Sequence, residues 1–297
     1  MITPPSLKKG DIVEIISPAN YIKEEELYAA ISIIENMGLN VRISQNCLEH
    51  YKRYAGTLEQ RVDDFRSALR NKDSKAILCS SGGYGSVQLL EYIVDDIAQN
   101  PKWLIGFSDI SSIHALYQSK GIKSVHASMC RDMIIPPLDK PSNGYLQKIL
   151  FGDEIQYEFA SHKDNIQGCV TGRLVGGNLS VLSELMATPY NVFNKGNILF
   201  IEDVNEKLYK IERIFYHLKY AGVLESVKGL IVGRFENCNS QGRFQDIMEL
   251  VLRFFPDRHI PICFDAPMGH ISDNYPLILG GNVSLQVGNS VTNLKFE

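Results

Sequence analysis

Apolar positions along the first half of the chain switch repeatedly between a spacing of two and a helical spacing. Residues 11–18 (DIVEIISP) form a β-branched run that ends in a proline turn. Residues 23–37 (KEEELYAAISIIENM) place apolar side chains on one helical face, with three acids in the first turn. Those acids complement the helix dipole, and Gly38 is placed to terminate the helix. Residues 39–43 read as a strand. Thr57 and Gln60 have the spacing of a capping box for a helix reaching residue 69. The unit then repeats: strand 75–80, helix 85–97, strand 103–107, helix 110–119 and strand 122–126. Strands alternating with helices predict right-handed crossovers and a mostly parallel, doubly wound sheet. In such sheets ligands bind at the carboxyl ends of the strands.

From residue 136 to 168 the pattern loses its periodicity, and we place a domain crossing there. The expected domains are residues 1–160 and 161–297. Beyond the crossing, strand 170–175 is followed by GGN, helix 179–186, strand 198–203, an amphipathic helix 208–220 and strand 229–235. Helix 244–255, strand 261–266 and a glycine-rich β tail complete the second domain. No internal repeat or low-complexity stretch interrupts the order. The fold class expected is therefore α/β, a doubly wound parallel sheet followed by a smaller domain containing β structure.

Composition narrows the function class. The 297 residues are 44% hydrophobic and 22% charged, enough apolar material for a large core and unlike a disordered chain. Thirty basic and 34 acidic residues leave a net charge of −4, which gives no basic footprint for nucleic acid or anionic lipid. The six cysteines (47, 79, 130, 169, 238 and 263) form no C-x-x-C pair, and several lie in apolar runs that suit buried thiols. The first residues, MITPPSLKKGD, lack an apolar signal core, and no run approaches the length of a membrane span. A soluble, cytoplasmic protein with no membrane or nucleic-acid partner is the expectation.

Four motifs fall at predicted strand ends. Residues 80–85 (SSGGYG) join a strand to a helix, where glycines admit a ligand close to the backbone and free amides attract negative charge. The sequence fits neither common nucleotide-binding glycine pattern, which leaves half of an oxyanion hole or a simple tight turn. Residues 106–110 (GFSDI) resemble a nucleophile elbow that exposes Ser108, with Ile110 where the final glycine usually stands. Ser108 and Asp109 are equally good helix caps.

A serine nucleophile needs a base. His114 follows Ser108 by six residues and is expected to face away from the strand end. His126 ends the fifth strand. His50, His162, His217 and His259 read as surface residues. His270, in the turn-rich APMGH directly after a strand, is the best-placed histidine. Glu202 and Asp203 end the apolar run ILFI, where a buried carboxylate needs a partner. Adjacent strand residues point to opposite faces, so only one of them can serve a site. The pair also has the chemistry to cap the next helix.

Taken together, SPA at Ser17, GGYG, GFSDI, GGN, IEDVNE, PMGH and PLILGG resemble, in order, the LD-carboxypeptidases, Ser-Glu-His peptidases related to the microcin-immunity hydrolases. RYAGTLEQR, NPKWLIGFSDI and YKIERIFYHLKYAGVL belong to the same resemblance. It implies Ser108 as nucleophile, His270 as general base and Glu202, first of the ED pair, as its orienting acid. It also implies an oxyanion hole of the Gly83 and Asp109 amides. The implied fold is a flavodoxin-like N-terminal domain with a smaller β-containing C-terminal domain. The implied protein is a homodimer without metal or cofactor, acting on small muropeptides.

Two positions depart from the family pattern. Ser81 stands where an arginine commonly precedes GGYG, which leaves the cation for an anionic substrate group unassigned. Ile278 stands where proline is usual. The resemblance leaves three functions: release of terminal D-alanine from cell-wall tetrapeptides, cleavage of an aminoacyl-nucleotide amide, or muropeptide binding without catalysis.

Overall fold

The structure is a computed structural model and describes residues 1–193, 196–239, 246–257 and 259–297. The chain forms two compact units: residues 1–153 with 272–279, and residues 154–271 with 280–297.

The first unit opens with β1 (Ile12–Ile16), α1 (Glu24–Asn36), β2 (Asn40–Ile43), α2 (Leu58–Arg70) and β3 (Ser74–Cys79). It continues with α3 (Leu90–Gln99), β4 (Trp103–Gly106), α4 (Ser111–Ser119), β5 (Ser124–His126), α5 (Cys130–Met133) and α6 (Pro141–Phe151). The second unit runs through β6 (Gln156–Ala160), β7 (Gly168–Asn178), α7 (Leu179–Ser183), β8 (Ile198–Val204), α8 (Leu208–Tyr220), β9 (Gly229–Glu236), α9 (Ile247–Leu252) and β10 (Ile262–Cys263). The chain then supplies β11 (Leu277–Leu279) to the first unit before β12 (Asn282–Val287) and β13 (Val291–Phe296) close the second.

The first sheet has the order β11-β5-β4-β3-β1-β2. Strands β1 to β5 pair in parallel, and β11 adds an antiparallel edge on β5. This is the flavodoxin-like order, with its switch point between β1 and β3. Its central strands are apolar on both faces: Val13, Ile15, Ala76, Leu78, Leu104 and Ile105 are all buried. That is what helices on both sides of a parallel sheet require. Leu27, Ala30 and Ile34 of α1 and Val62, Phe65 and Leu69 of α2 supply the covering layers. The capping box closes as expected, with Thr57 Oγ1 accepting from the Gln60 amide at 3.3 Å and Gln60 Oε1 accepting from the Thr57 amide at 2.8 Å.

The second sheet has the order β10-β9-β8-β7-β12-β13-β6 and is mixed. The two halves of β7 divide the work. Residues 168–173 pair antiparallel with β12, and residues 174–178 pair in parallel with β8. The α/β reading, with a parallel N-terminal sheet and a second domain rich in β structure, agrees with this architecture.

Three local differences stand out. The segment 136–168 holds regular structure, α6 and β6, although its sequence lacks sustained periodicity. Helix α6 starts with Pro141 and ends at Gly152 in a left-handed conformation, the usual asymmetry of helix ends. Its Ser142, Asn143 and Gly144 are weak helix formers and hide the signal. The helix expected from residue 85 begins as a tight 3-10 turn (Ser86–Leu89) because Gly85 lies at φ +132°. The helix expected over 244–255 is observed as α9, and residues 244–245 lie outside the described residues.

Candidate active site

In the first unit, the carboxyl ends of β1, β3 and β4 lie side by side. The Ser80 amide donates to Ile16 O at 2.8 Å, and the Asn20 amide donates to Gly82 O at 3.1 Å. Ser108 follows β4 after Phe107 and takes φ +61°. A residue other than glycine in this left-handed region costs about 1–2 kcal/mol, and such outliers concentrate at functional turns. Two glycines make room for the turn. A Cβ on Gly106 would lie 3.1 Å from the Ile110 side chain, and one on Gly82 would lie 3.2 Å from Ser108 Cβ and 3.4 Å from its Oγ. Ser108 therefore stands directly against the SSGGYG loop.

Asp109 ties that loop to the elbow. Its buried carboxylate accepts the Ser86 amide at 2.9 Å, and the Ser86 hydroxyl donates to Asp109 O at 2.6 Å. Burial raises the Asp109 carboxyl pKa, partly offset by the Ser86 hydrogen bonds. The Asp109 side chain thus fixes the two segments that carry the Gly83 and Asp109 amides. Gly83 has φ +106°, and the Asn20 side chain fills the space a Cβ would need. Beneath the loop, the buried Arg61 guanidinium donates to Pro18 O at 2.9 Å, Gly85 O at 3.1 Å and Gln88 Oε1 at 2.7 Å. Asn20, Arg61 and Ser86 were not singled out from the sequence. The one available signal was that Arg61 closes the RYAGTLEQR stretch.

In the second unit, Glu202 sits near the carboxyl end of β8 and is fully buried. His270 Nδ1 lies 2.7 Å from Glu202 Oε2. With an ionised carboxylate as partner, Nδ1 carries the proton and Nε2 is left as the basic nitrogen. Glycines again permit the approach. A Cβ on Gly269 would lie 3.0 Å from Glu202 Cβ, and one on Gly233 would lie 2.5 Å from Met268 O. The PMGH segment is aligned on β9 by the Arg234 amide, which donates to Met268 O at 2.8 Å.

Asp203 faces elsewhere. Its carboxylate accepts Ser180 Oγ at 2.7 Å, the Ser180 amide at 2.9 Å, the Val204 amide at 2.9 Å and Asn178 Nδ2 at 3.2 Å. Burial nonetheless pushes its pKa up to about 6. The β8–β9 register shifts between Ile201 and Asp203, so Glu202 lies at an irregularity within the strand.

The other histidines divide as follows. His50, His217 and His259 are exposed and His162 is half-buried. His126 is buried at the end of β5, edge-on to Phe107 at 5.6 Å. His114 does not face away from the strand end as expected. It is buried and reaches Gly106 O and Ser124 Oγ, both at 2.8 Å. A carbonyl only accepts, so Nε2 donates to Gly106 and Nδ1 receives the Ser124 hydroxyl. Burial lowers its pKa to about 3 and keeps it neutral. His114 is thus a structural brace beneath the elbow.

The first unit brings Gly83, Ser108 and Asp109 together, and the second brings Glu202 to His270. Among the described residues no three His, Cys, Asp or Glu side chains are placed to hold a metal ion, and no helix is long and apolar enough to cross a membrane.

Sequence profiles of the LD-carboxypeptidase N-terminal and C-terminal domains match residues 13–127 and 171–285. The chain belongs to the LD-carboxypeptidase family. Its relatives include a probable murein peptide carboxypeptidase of Bacillus subtilis (strain 168), 31% identical over 95% of this chain and 91% of that protein. The murein tetrapeptide carboxypeptidase of Pseudomonas aeruginosa is 27% identical over 88% of this chain and 89% of that protein. Among solved structures, muramoyltetrapeptide carboxypeptidase from Oxalobacter formigenes superposes with a TM-score of 0.87 at 26% identity, covering 96% of this chain and 98% of that one. An MccF-like protein from Bacillus anthracis gives 0.88 at 25% identity over the full length of both chains. Both family domains thus cover the segments that hold Ser108, Glu202 and His270.

Proposed function

We propose that this LD-carboxypeptidase family member is a serine peptidase that releases terminal D-alanine from cell-wall tetrapeptides by hydrolysing an L,D-amide bond. The observation that carries the reading is Ser108 at φ +61° on the carboxyl end of β4, because a hydroxyl held in that conformation is the mark of a nucleophile elbow. The buried carboxylate of Glu202, 2.7 Å from His270, supplies the matching acid–base pair.

In this mechanism His270 Nε2 takes the Ser108 proton as Oγ attacks the scissile carbonyl. The Gly83 and Asp109 amides receive the negative oxygen, each donor contributing about 3 kcal/mol in comparable sites. Glu202 holds the imidazole tautomer and stabilises its protonated form. His270 then protonates the departing amine as the C–N bond breaks, leaving an acyl ester on Ser108. Water, activated by the same nitrogen, attacks that ester and frees the serine. The reading includes a cytoplasmic homodimer that recycles imported muropeptides.

The test is incubation with the free tetrapeptide and with its disaccharide form, read by mass spectrometry. Loss of D-alanine by the wild-type protein, absent in Ser108→Ala, is the expected result. Equal release by both proteins overturns the serine mechanism. Cleavage of an aminoacyl-nucleotide amide in place of the tetrapeptide assigns the chain to immunity-type hydrolysis. Tight binding without cleavage of either makes it a binding protein.

A further inference from the structure

Ser81, just before the glycine loop, is buried and uncharged. A carboxypeptidase substrate nevertheless presents a free carboxylate two bonds from the scissile nitrogen. A cation near the oxyanion donors is a fitting receptor for it.

A cleft of about 460 Å³ within the first unit is lined by Asn20, Lys52, Arg53, Tyr54, Gly83 and Tyr84. Its lining therefore includes two cations and Gly83, the residue of one proposed oxyanion donor. Lys52 and Arg53 form the tip of a two-residue turn. The Tyr51 amide donates to Tyr54 O at 2.9 Å, the Tyr54 amide returns to Tyr51 O at 3.0 Å, and Lys52 takes φ +58°. The turn is braced against the segment after β1, which is braced in turn against the glycine loop. The Ala55 amide donates to Ala19 O at 3.0 Å, the Tyr21 amide to Arg53 O at 3.3 Å, and the Asn20 amide to Gly82 O at 3.1 Å.

The remaining arginines near the loop are committed. Arg61 is buried against Pro18 O, Gly85 O and Gln88. Arg131 pairs with Glu26 at 3.3 Å and donates to Tyr21 O. Lys52 and Arg53 are exposed, and neither has a carboxylate partner among the described residues.

We propose that Lys52 and Arg53 form the subsite for the free carboxylate of the residue released from the substrate. The inference rests on the carboxypeptidase reading above. A guanidinium offers two parallel donors to a carboxylate, and the neighbouring ammonium adds a second charge. The turn fixes the backbone that carries both side chains on the lining of the cleft.

The experiment measures binding of a tetrapeptide ending in free D-alanine and of the same peptide ending in D-alanine amide. The proteins are Ser108→Ala and Ser108→Ala combined with Lys52→Gln and Arg53→Gln. The single variant is expected to bind the acid at least tenfold tighter than the amide, and the triple variant to bind both alike. An acid preference that survives in the triple variant overturns the subsite and places the receptor of the terminal carboxylate elsewhere on the protein. No acid preference in the single variant, or no measurable binding of either peptide, also overturns it. Turnover is measured separately on the wild-type protein. Failure to release D-alanine refutes the carboxypeptidase reading, while the binding comparison still decides the subsite.

Discussion

Glu202 and Asp203 are adjacent in β8, yet their environments give them different duties. Glu202 is fully buried with His270 Nδ1 at 2.7 Å, whereas Asp203 accepts four donors from residues 178, 180 and 204. Glu202→Gln keeps the shape of the side chain but removes the charge that stabilises a protonated imidazole. It is expected to lower kcat by about 10²- to 10⁴-fold with the thermal midpoint nearly unchanged. Asp203→Asn is expected to do the reverse. It sets an amide donor among groups that donate, costing about 1–3 kcal/mol of stability while turnover is largely kept. Parallel kinetics and thermal melts of the two variants separate the roles, and the opposite pattern reverses the assignment.

At the scale of elements, the elbow depends on a brace that joins three of them. His114 on α4 donates to Gly106 at the end of β4 and accepts from Ser124 at the start of β5. Burial holds its pKa at about 3 in the folded chain, against 6.5 when free. The unfolded chain therefore takes up this proton below pH 6.5 while the folded chain does not. The stabilisation is complete above that pH and declines by at most about 1.4 kcal/mol per pH unit as pH falls toward 3. His114→Gln retains a donor and an acceptor but does not titrate. Denaturant unfolding at several pH values is expected to show a shallower acid decline for the variant, and equal slopes refute the brace. The elbow itself was legible from residues 106–110 because a strand–turn–helix is local. Helix α6 was not, since Ser142, Asn143 and Gly144 conceal a core contact made by Leu146, Ile149 and Leu150.

For the whole molecule, the decisive feature is the path of the last residues. Strand β11 returns to the edge of the first sheet, and β12 and β13 link β7 to β6 in the second. A chain ending at residue 271 loses a strand from one sheet and two interior strands from the other. It leaves the edges of β5, β6 and β7 unpaired, and such edges promote aggregation. We expect this truncated chain to be insoluble on expression. A soluble product with a cooperative melt shows that the tail is dispensable.

The order of strands and helices outside residues 136–168, the Thr57 capping box, the elbow around Ser108 and the turn before His270 were set by local sequence. Each rests on periodicity, caps and glycines within a few residues. Local spacing left open which acid of the ED pair meets His270, and only the family resemblance pointed to Glu202. In the folded chain a register shift in β8 and the approach of the segment at Gly269 determine the facing side chain. The tertiary structure alone placed Leu277–Leu279 on the first sheet, since three apolar residues carry no record of their partner. It also set Lys52 and Arg53 beside Gly83 in one cleft. Backbone pairing beyond the strand ends brings residues 20, 54 and 82 together, and no spacing along the chain encodes that meeting.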